Sequence, residues 1–221
     1  MKKIYFALIM IAFALIGCKA HVEVETKLSN LINQPVHTEH AIISIEIPTC
    51  NSYEDSRLPS RALTDVQQKI PTIFHGAKYK ECYSKGFETY ATFEVPIGIG
   101  IAKQNLQVDN DISLVVNDEF VLMTYATDSL NQRIQHFNKS EYIDSLKIEI
   151  NIVNDLGVDV DATCLSSYIN NSPCTWGKIF LQKNQKINIV LSNVSTDKFL
   201  GKNRTSEYAE VMAFNVKPKK N

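Results

Sequence analysis

The chain has 221 residues, of which 44% are hydrophobic and 21% charged, and its formal net charge is −1. That near-neutral balance argues against a basic nucleic-acid-binding field and against a polybasic membrane patch. The length suits one domain or two small ones.

The amino terminus is the most informative stretch. Met1-Lys2-Lys3 precedes an apolar run from Ile4 to Ile16 in which only Tyr5 carries a polar group. Two cations, a short greasy segment and then small residues are the layout of a secretory signal. The run is shorter than the roughly 20 residues a membrane span needs. It is also hydrophobic all round, without the stripe of a surface helix.

At its end, Leu15-Ile16-Gly17-Cys18 resembles the lipobox of bacterial lipoprotein precursors. The resemblance implies that residues 1–17 are a cleaved signal peptide and that the Cys18 thiol carries a lipid. Residues 18–221 would then be a lipid-anchored, β-rich domain. Each buried CH₂ contributes roughly 0.8 kcal/mol, so two or three acyl chains hold where one holds only marginally. Lys19, rather than aspartate, follows the cysteine; in enteric-type lipoproteins this implies the outer membrane, and the domain is expected to face the periplasm, with exposure at the cell surface as the alternative.

Period-two alternation of apolar and polar residues then marks half-buried strands. In chain order these are residues 21–26, 43–47, 78–83, 90–96, 112–116, 121–125, 146–152, 158–164, 178–181, 186–191 and 208–216. Helices are fewer. Ser60 can cap a segment with Leu63, Val66 and Ile70 on one face, which Pro71 ends or kinks. Ser129 can cap another carrying Leu130, Ile134 and Phe137. Residues 28–32 and 194–200 read as single turns of helix, each following a strand. The stretches 34–40 and 98–110 read as the softest loops, the second a possible boundary between two subdomains. The expected class is β-rich α+β, mainly antiparallel. It would be either sandwich-like or a sheet with one or two short helices packed on it.

Besides Cys18 there are four cysteines, Cys50, Cys82, Cys164 and Cys174, an even number in an exported chain. Three pairings are possible. Cys50–Cys82 and Cys164–Cys174 keep each bridge within one half of the chain and are favoured on that ground. None of the spacings matches a Cys-x₂₋₄-Cys zinc pair.

Motifs of catalysis are weak. His37-Thr-Glu-His40 is not a His-Glu-x-x-His helix and reads as a polar turn. Asp155, Asp159 and Asp161 crowd together, but alternation with Val158 and Val160 explains them as the wet face of a strand. Gly98-Ile-Gly100 lacks the third glycine of a phosphate turn. There is no Gly-x-Ser-x-Gly elbow. A non-enzymatic protein is therefore expected, with no catalytic residue, cofactor or metal assigned.

Two stretches suit recognition. Asn51-Ser-Tyr-Glu-Asp-Ser-Arg57 follows Cys50 and supplies Tyr53, Glu54, Asp55 and Arg57; a bridge at Cys50 would hold the loop at one end and lower the ordering cost of binding. Residues 168–176 read as a bridged loop carrying Trp176, the sole tryptophan and a residue type enriched among binding anchors. The segment from Thr49 to Arg57, with the lipobox and the strand-rich body, also resembles uncharacterised lipoproteins borne on prophages and other mobile elements. The expected partners are the bilayer, through the anchor, and an envelope protein or glycan; no nucleic acid is expected. The alternatives are an accessory subunit of a secretion or conjugation assembly and, third, a periplasmic hydrolase.

Overall fold

The computed structural model describes residues 19–102, 110–138, 145–201 and 208–216. Residues 1–17, expected to be a leader, and Cys18 lie outside the described residues.

The chain runs β1 (Lys19–Lys27), α1 (Leu28–Asn33), β2 (His37–Ile47), α2 (Arg61–Ile73), β3 (Lys78–Lys85), β4 (Glu88–Ile101), β5 (Ile112–Val116), β6 (Val121–Ala126), α3 (Asp128–Asn138), β7 (Ser145–Val153), β8 (Val160–Ile169), β9 (Ser172–Leu181), β10 (Lys186–Leu191), α4 (Asn193–Phe199) and β11 (Tyr208–Asn215). The β-rich α+β class and the mainly antiparallel pairing expected from alternation are both present. Among the described strands only β1–β7 and β4–β5 pair in parallel, beside an isolated parallel bridge between Pro35 and Ile101.

The sandwich expectation is corrected. The strands follow the order β10-β7-β1-β2-β4-β5-β6-β11-β8, and β8 pairs back onto β10, so the sheet closes into a nine-stranded barrel. Closure happens within one strand. Residues 161–164 of β8 pair with β11, whereas Ser167 to Ile169 pair with β10. The change of partner falls at Ser166, whose φ is +45°. Alternation states that one face of each strand is dry; it does not state whether two sheets face each other or one sheet curls round.

The interior is filled. On β1, Ala20, Val22 and Val24 point inward, and on β2 Ala41, Ile43, Ile45 and Ile47 do the same. Phe93, Ile97, Leu114, Leu122 and Ile150 meet them with essentially no exposure. Leu28 and Leu31 of α1 join the same cluster. α1 is held by Asp155, whose carboxylate accepts from Ser29 N at 2.9 Å and Ser29 Oγ at 2.5 Å. α2 begins at Ser60, whose Oγ accepts from Leu63 N at 3.0 Å, and continues through Pro71 to Ile73. For α3 the cap is Thr127 rather than Ser129: Thr127 Oγ1 accepts from Leu130 N, while Ser129 Oγ accepts from Arg133.

Two loop readings also change. Residues 37–40 extend β2, paired with Pro96 to Ile99 of β4. Beside them, the carbonyl of Pro35 lies 2.7 Å from where a Cβ on Gly100 would sit, so only glycine admits this close crossing. Residues 168–176 form a hairpin. Asn170 and Asn171 both have positive φ, +47° and +67°, as a two-residue turn of the tight right-twisting kind requires.

β3 and β9 lie off the barrel. Among the described residues each pairs on one side only, β3 with β4 and β9 with β8. Cys50–Cys82 ties the loop after β2 to β3, with Cα atoms 5.8 Å apart, and Cys164–Cys174 spans the β8–β9 hairpin at 6.4 Å. These are the pairings favoured from the sequence.

Candidate functional site

Where β3 stands away from the barrel it leaves a cleft of about 570 Å³ on the outer wall. Its floor is the wet face of β1 and β2, with His21 and Ser44 directly paired in register. One side is built by Tyr83 and Lys85 of β3 with Glu88 and Tyr90 of β4. The other side is Lys147 of β7, and Lys19 stands at the end. Strand alternation makes this set: every second residue of each strand must face out. Registers then align the positions, since His21 pairs with Lys147 in the parallel β1–β7 ladder and Tyr83 pairs with Tyr90 across the hairpin.

The charges here are organised. Lys147 Nζ donates to Glu149 Oε2 at 2.7 Å, and Asn188 Nδ2 donates to Glu149 Oε1 at 2.6 Å. Glu23, opposite Glu149 in register, accepts from Asn151 Nδ2 at 3.0 Å. These donors offset the like-charge repulsion of two facing carboxylates. His21 Nε2 lies 3.1 Å from Glu149 Oε2 but is not aligned for a hydrogen bond. Burial lowers the His21 pKa, Lys147 lowers it further, and Glu149 and Glu23 oppose both without overcoming them. Tyr90 donates to Glu88, which pushes the tyrosine pKa up to about 12. The same bond holds the Glu88 carboxyl below its ordinary value, with help from Lys19.

Several donors remain unused. Lys85 helps hold the Glu88 carboxyl down but forms no close ion pair, and Ser44 Oγ and Tyr83 OH have no hydrogen-bond partner, among the described residues. Lys19 makes only loose pairs, 3.6 Å to Glu46 and 3.5 Å to Glu88, with its side chain 61% exposed. The cleft can therefore offer cations and hydroxyls to an oxygen-rich ligand. The tyrosine rings, 5.8 Å apart and tilted, add an aromatic wall.

The residues expected from sequence fall elsewhere. Tyr53 is exposed. The 51–58 loop is pinned at both ends rather than one, by Ser52 N to Leu58 O at 2.9 Å and Ser60 N to Cys50 O at 2.8 Å. Asp55 and Arg57 satisfy each other through a two-point fork at 2.9 and 2.8 Å, which lowers the Asp55 pKa. Ser52 Oγ accepts from Glu54 N. The loop joins β3 through Cys82, whose side chain points to the face opposite Tyr83. The loop and the cleft thus lie on the two sides of β3. Trp176, 72% exposed, sits with Phe180 on β9. Because β9 hangs from β8 and β3 hangs from β4, the structure does not bring Trp176 near residues 53–57.

Asp155, Asp159 and Asp161 are separated in role. Asp155 serves α1, Asp159 accepts from Lys183 N, and Asp161 sits on β8. His37 leans on Glu39 at 3.1 Å and His40 on Glu94 at 3.7 Å. The cleft residues His21, Ser44, Lys85 and Lys147 were not singled out by sequence, and Lys19 was singled out only for its place after Cys18. They form no linear motif, and each reads alone as a wet strand face.

No helix among the described residues is long and apolar enough to cross a membrane. A family model described as a domain of unknown function, DUF7424, matches residues 20–215. No curated protein and no solved structure matches the chain.

Proposed function

We propose that this chain, which belongs to the DUF7424 family, is a non-enzymatic binding module of the bacterial envelope, held on a bilayer by acyl chains on Cys18. One observation carries the reading. The lipobox Leu15-Ile16-Gly17-Cys18 abuts Lys19, the first residue of β1, so the anchor point and the barrel wall are neighbours in the chain. The two disulfides support an oxidising compartment. Lys19 after the cysteine supports the outer membrane, with the barrel facing the periplasm. An envelope protein or glycan is the partner the exposed aromatic residues suit. Labelling cells with a fatty-acid analogue tests the anchor: wild type takes label and Cys18→Ala does not. Equal label in both ends the proposal.

A second reading, an accessory subunit of an envelope assembly, is favoured by β9, which pairs only with β8 among the described residues and leaves Trp176 and Phe180 exposed. Size exclusion of solubilised membranes separates the two, since a subunit co-migrates with a large complex.

A further inference from the structure

We propose that the cleft between β3 and the outer wall of β1 and β7 receives the phosphate-bearing head group of an anionic membrane lipid, with Phe87 as an apolar foot beside it. The proposal rests on reading Cys18 as a lipid anchor.

Placement is the first support. Lys19 pairs with Ser145 at the start of β7, and Ile47 at the end of β2 pairs with Thr89 at the start of β4. The turn joining Lys85 to Glu88 continues past that level. The hairpin tip and the residue that follows Cys18 thus share one end of the barrel. Acyl chains on Cys18 would bring the bilayer surface to that end.

The second support is chemistry. A lipid phosphate presents oxygens that accept hydrogen bonds and carry negative charge. Lys85, Ser44 Oγ and Tyr83 OH are donors with no acceptor among the described residues. Lys19 and Lys147 add charge. The facing carboxylates are Glu23, Glu46, Glu88 and Glu149. Glu23, Glu88 and Glu149 accept from Asn151, Tyr90, and Lys147 with Asn188, and Glu46 and Glu88 face Lys19. Glu46 Oε2 is buried, accepts no hydrogen bond and is met only by Lys19 at 3.6 Å; with Glu23, Glu88 and Glu149 hydrogen-bonded, the Lys85 ammonium and the two hydroxyls keep donors to offer a ligand.

The third support selects a membrane over a free phosphate. Phe87 is fully exposed at the tip, where Gly86 turns the chain at φ +64° with nothing within 4 Å of a Cβ placed there. A soluble anion needs the lysines but not a protruding phenyl ring. A bilayer uses both, because apolar insertion and attraction to anionic lipid combine.

The test uses the mature chain from residue 18 carrying Cys18→Ser, which cannot be acylated; the whole barrel lies within it. Sedimentation with vesicles of phosphatidylethanolamine and phosphatidylglycerol is compared with neutral phosphatidylcholine vesicles at low ionic strength. Glycerol phosphate binding is measured alongside. The expected result is binding to the anionic vesicles, weakened about fivefold by each of Lys85→Gln and Lys147→Gln. Lys178→Gln, on β9, binds as wild type. Phe87→Ser weakens vesicle binding and leaves glycerol phosphate binding unchanged. Trp176 fluorescence during unfolding confirms that each variant is folded. Equal binding to both vesicle types, no binding to either, or cleft variants that bind as wild type would overturn the proposal. So would glycerol phosphate binding with a silent Phe87→Ser, which would assign the site to a free phosphate. Since the tested chain carries no lipid, a failed label at Cys18 and a failed sedimentation are separate results.

Discussion

β3 and β9 pose the same physical problem and solve it differently. Each is a strand outside the barrel with one edge unpaired among the described residues, and an open edge invites another strand to pair with it. β3 reads Lys-Tyr-Lys-Glu-Cys-Tyr-Ser-Lys, with four charges in eight residues. It also bulges between Tyr79 and Glu81, and Cys50 fastens it to the preceding loop. Charge and irregularity of this kind protect an edge against strand addition. β9 reads Ser-Pro-Cys-Thr-Trp-Gly-Lys-Ile-Phe-Leu and has one charge, Lys178, in ten residues. Its only evident guard is Pro173, near its start. The difference separates two kinds of surface: β3 is a charged, irregular strand that walls a polar cleft, whereas β9 leaves two aromatic side chains, Trp176 and Phe180, exposed on a strand with little charge.

The bridges should show the largest effects. On loop-closure entropy, removing Cys50–Cys82, with its separation of 32, costs about 3.5 kcal/mol. Removing Cys164–Cys174, with a separation of 10, costs about 2.5 kcal/mol. Urea unfolding of the paired Cys→Ala variants measures both. The reverse order would mean that β9, not β3, depends more on its staple.

The edges come next. Replacing Lys78 and Lys80 together by valine should give a chain that self-associates, seen as concentration-dependent light scattering, because the guard on β3 is lost. Trp176→Ala on β9 should change stability by less than about 0.5 kcal/mol, since the ring is exposed. A monomeric valine variant, or a strongly destabilised Trp176→Ala, would break the contrast.

Acid gives the smallest effect and should be confined to the β3 side. The folded state holds His21 below its ordinary value of 6.5, chiefly by burial. As pH falls through 6.5 the unfolded chain takes up a proton that the folded chain refuses, so stability declines until the folded value is reached. His21→Gln should flatten that part of the stability–pH curve. A curve unchanged by the substitution would show that His21 is not held neutral.

Where sequence reading succeeded, the signal was local. Alternation in residues 146–152 and 186–191 marks strands because successive side chains face opposite sides. Ser60 marks a helix start because its hydroxyl reaches Leu63 N three residues on. The favoured cysteine pairs are those joined in the structure, within the β8–β9 hairpin and between two neighbouring segments. Local rules misled where a longer-range pairing took over. Residues 37–40 look like a loop yet lengthen β2, because β4 runs alongside them. Trp176 looked like part of a loop because the Asn170-Asn171 turn occupies only two residues.

By itself, then, the sequence determined which residues of the strands face water and which cysteines could meet. Only the tertiary structure decided that one sheet curls until β8 bridges β10 and β11, and that β3 stands off the wall. Those outcomes depend on pairings between residues far apart in the chain, such as Lys19 with Ser145 and Ile189 with Ile169. The cleft exists for the same reason. Lys19, Ser44, Lys85 and Lys147 are ordinary wet-face residues until four separate strands set them around one space.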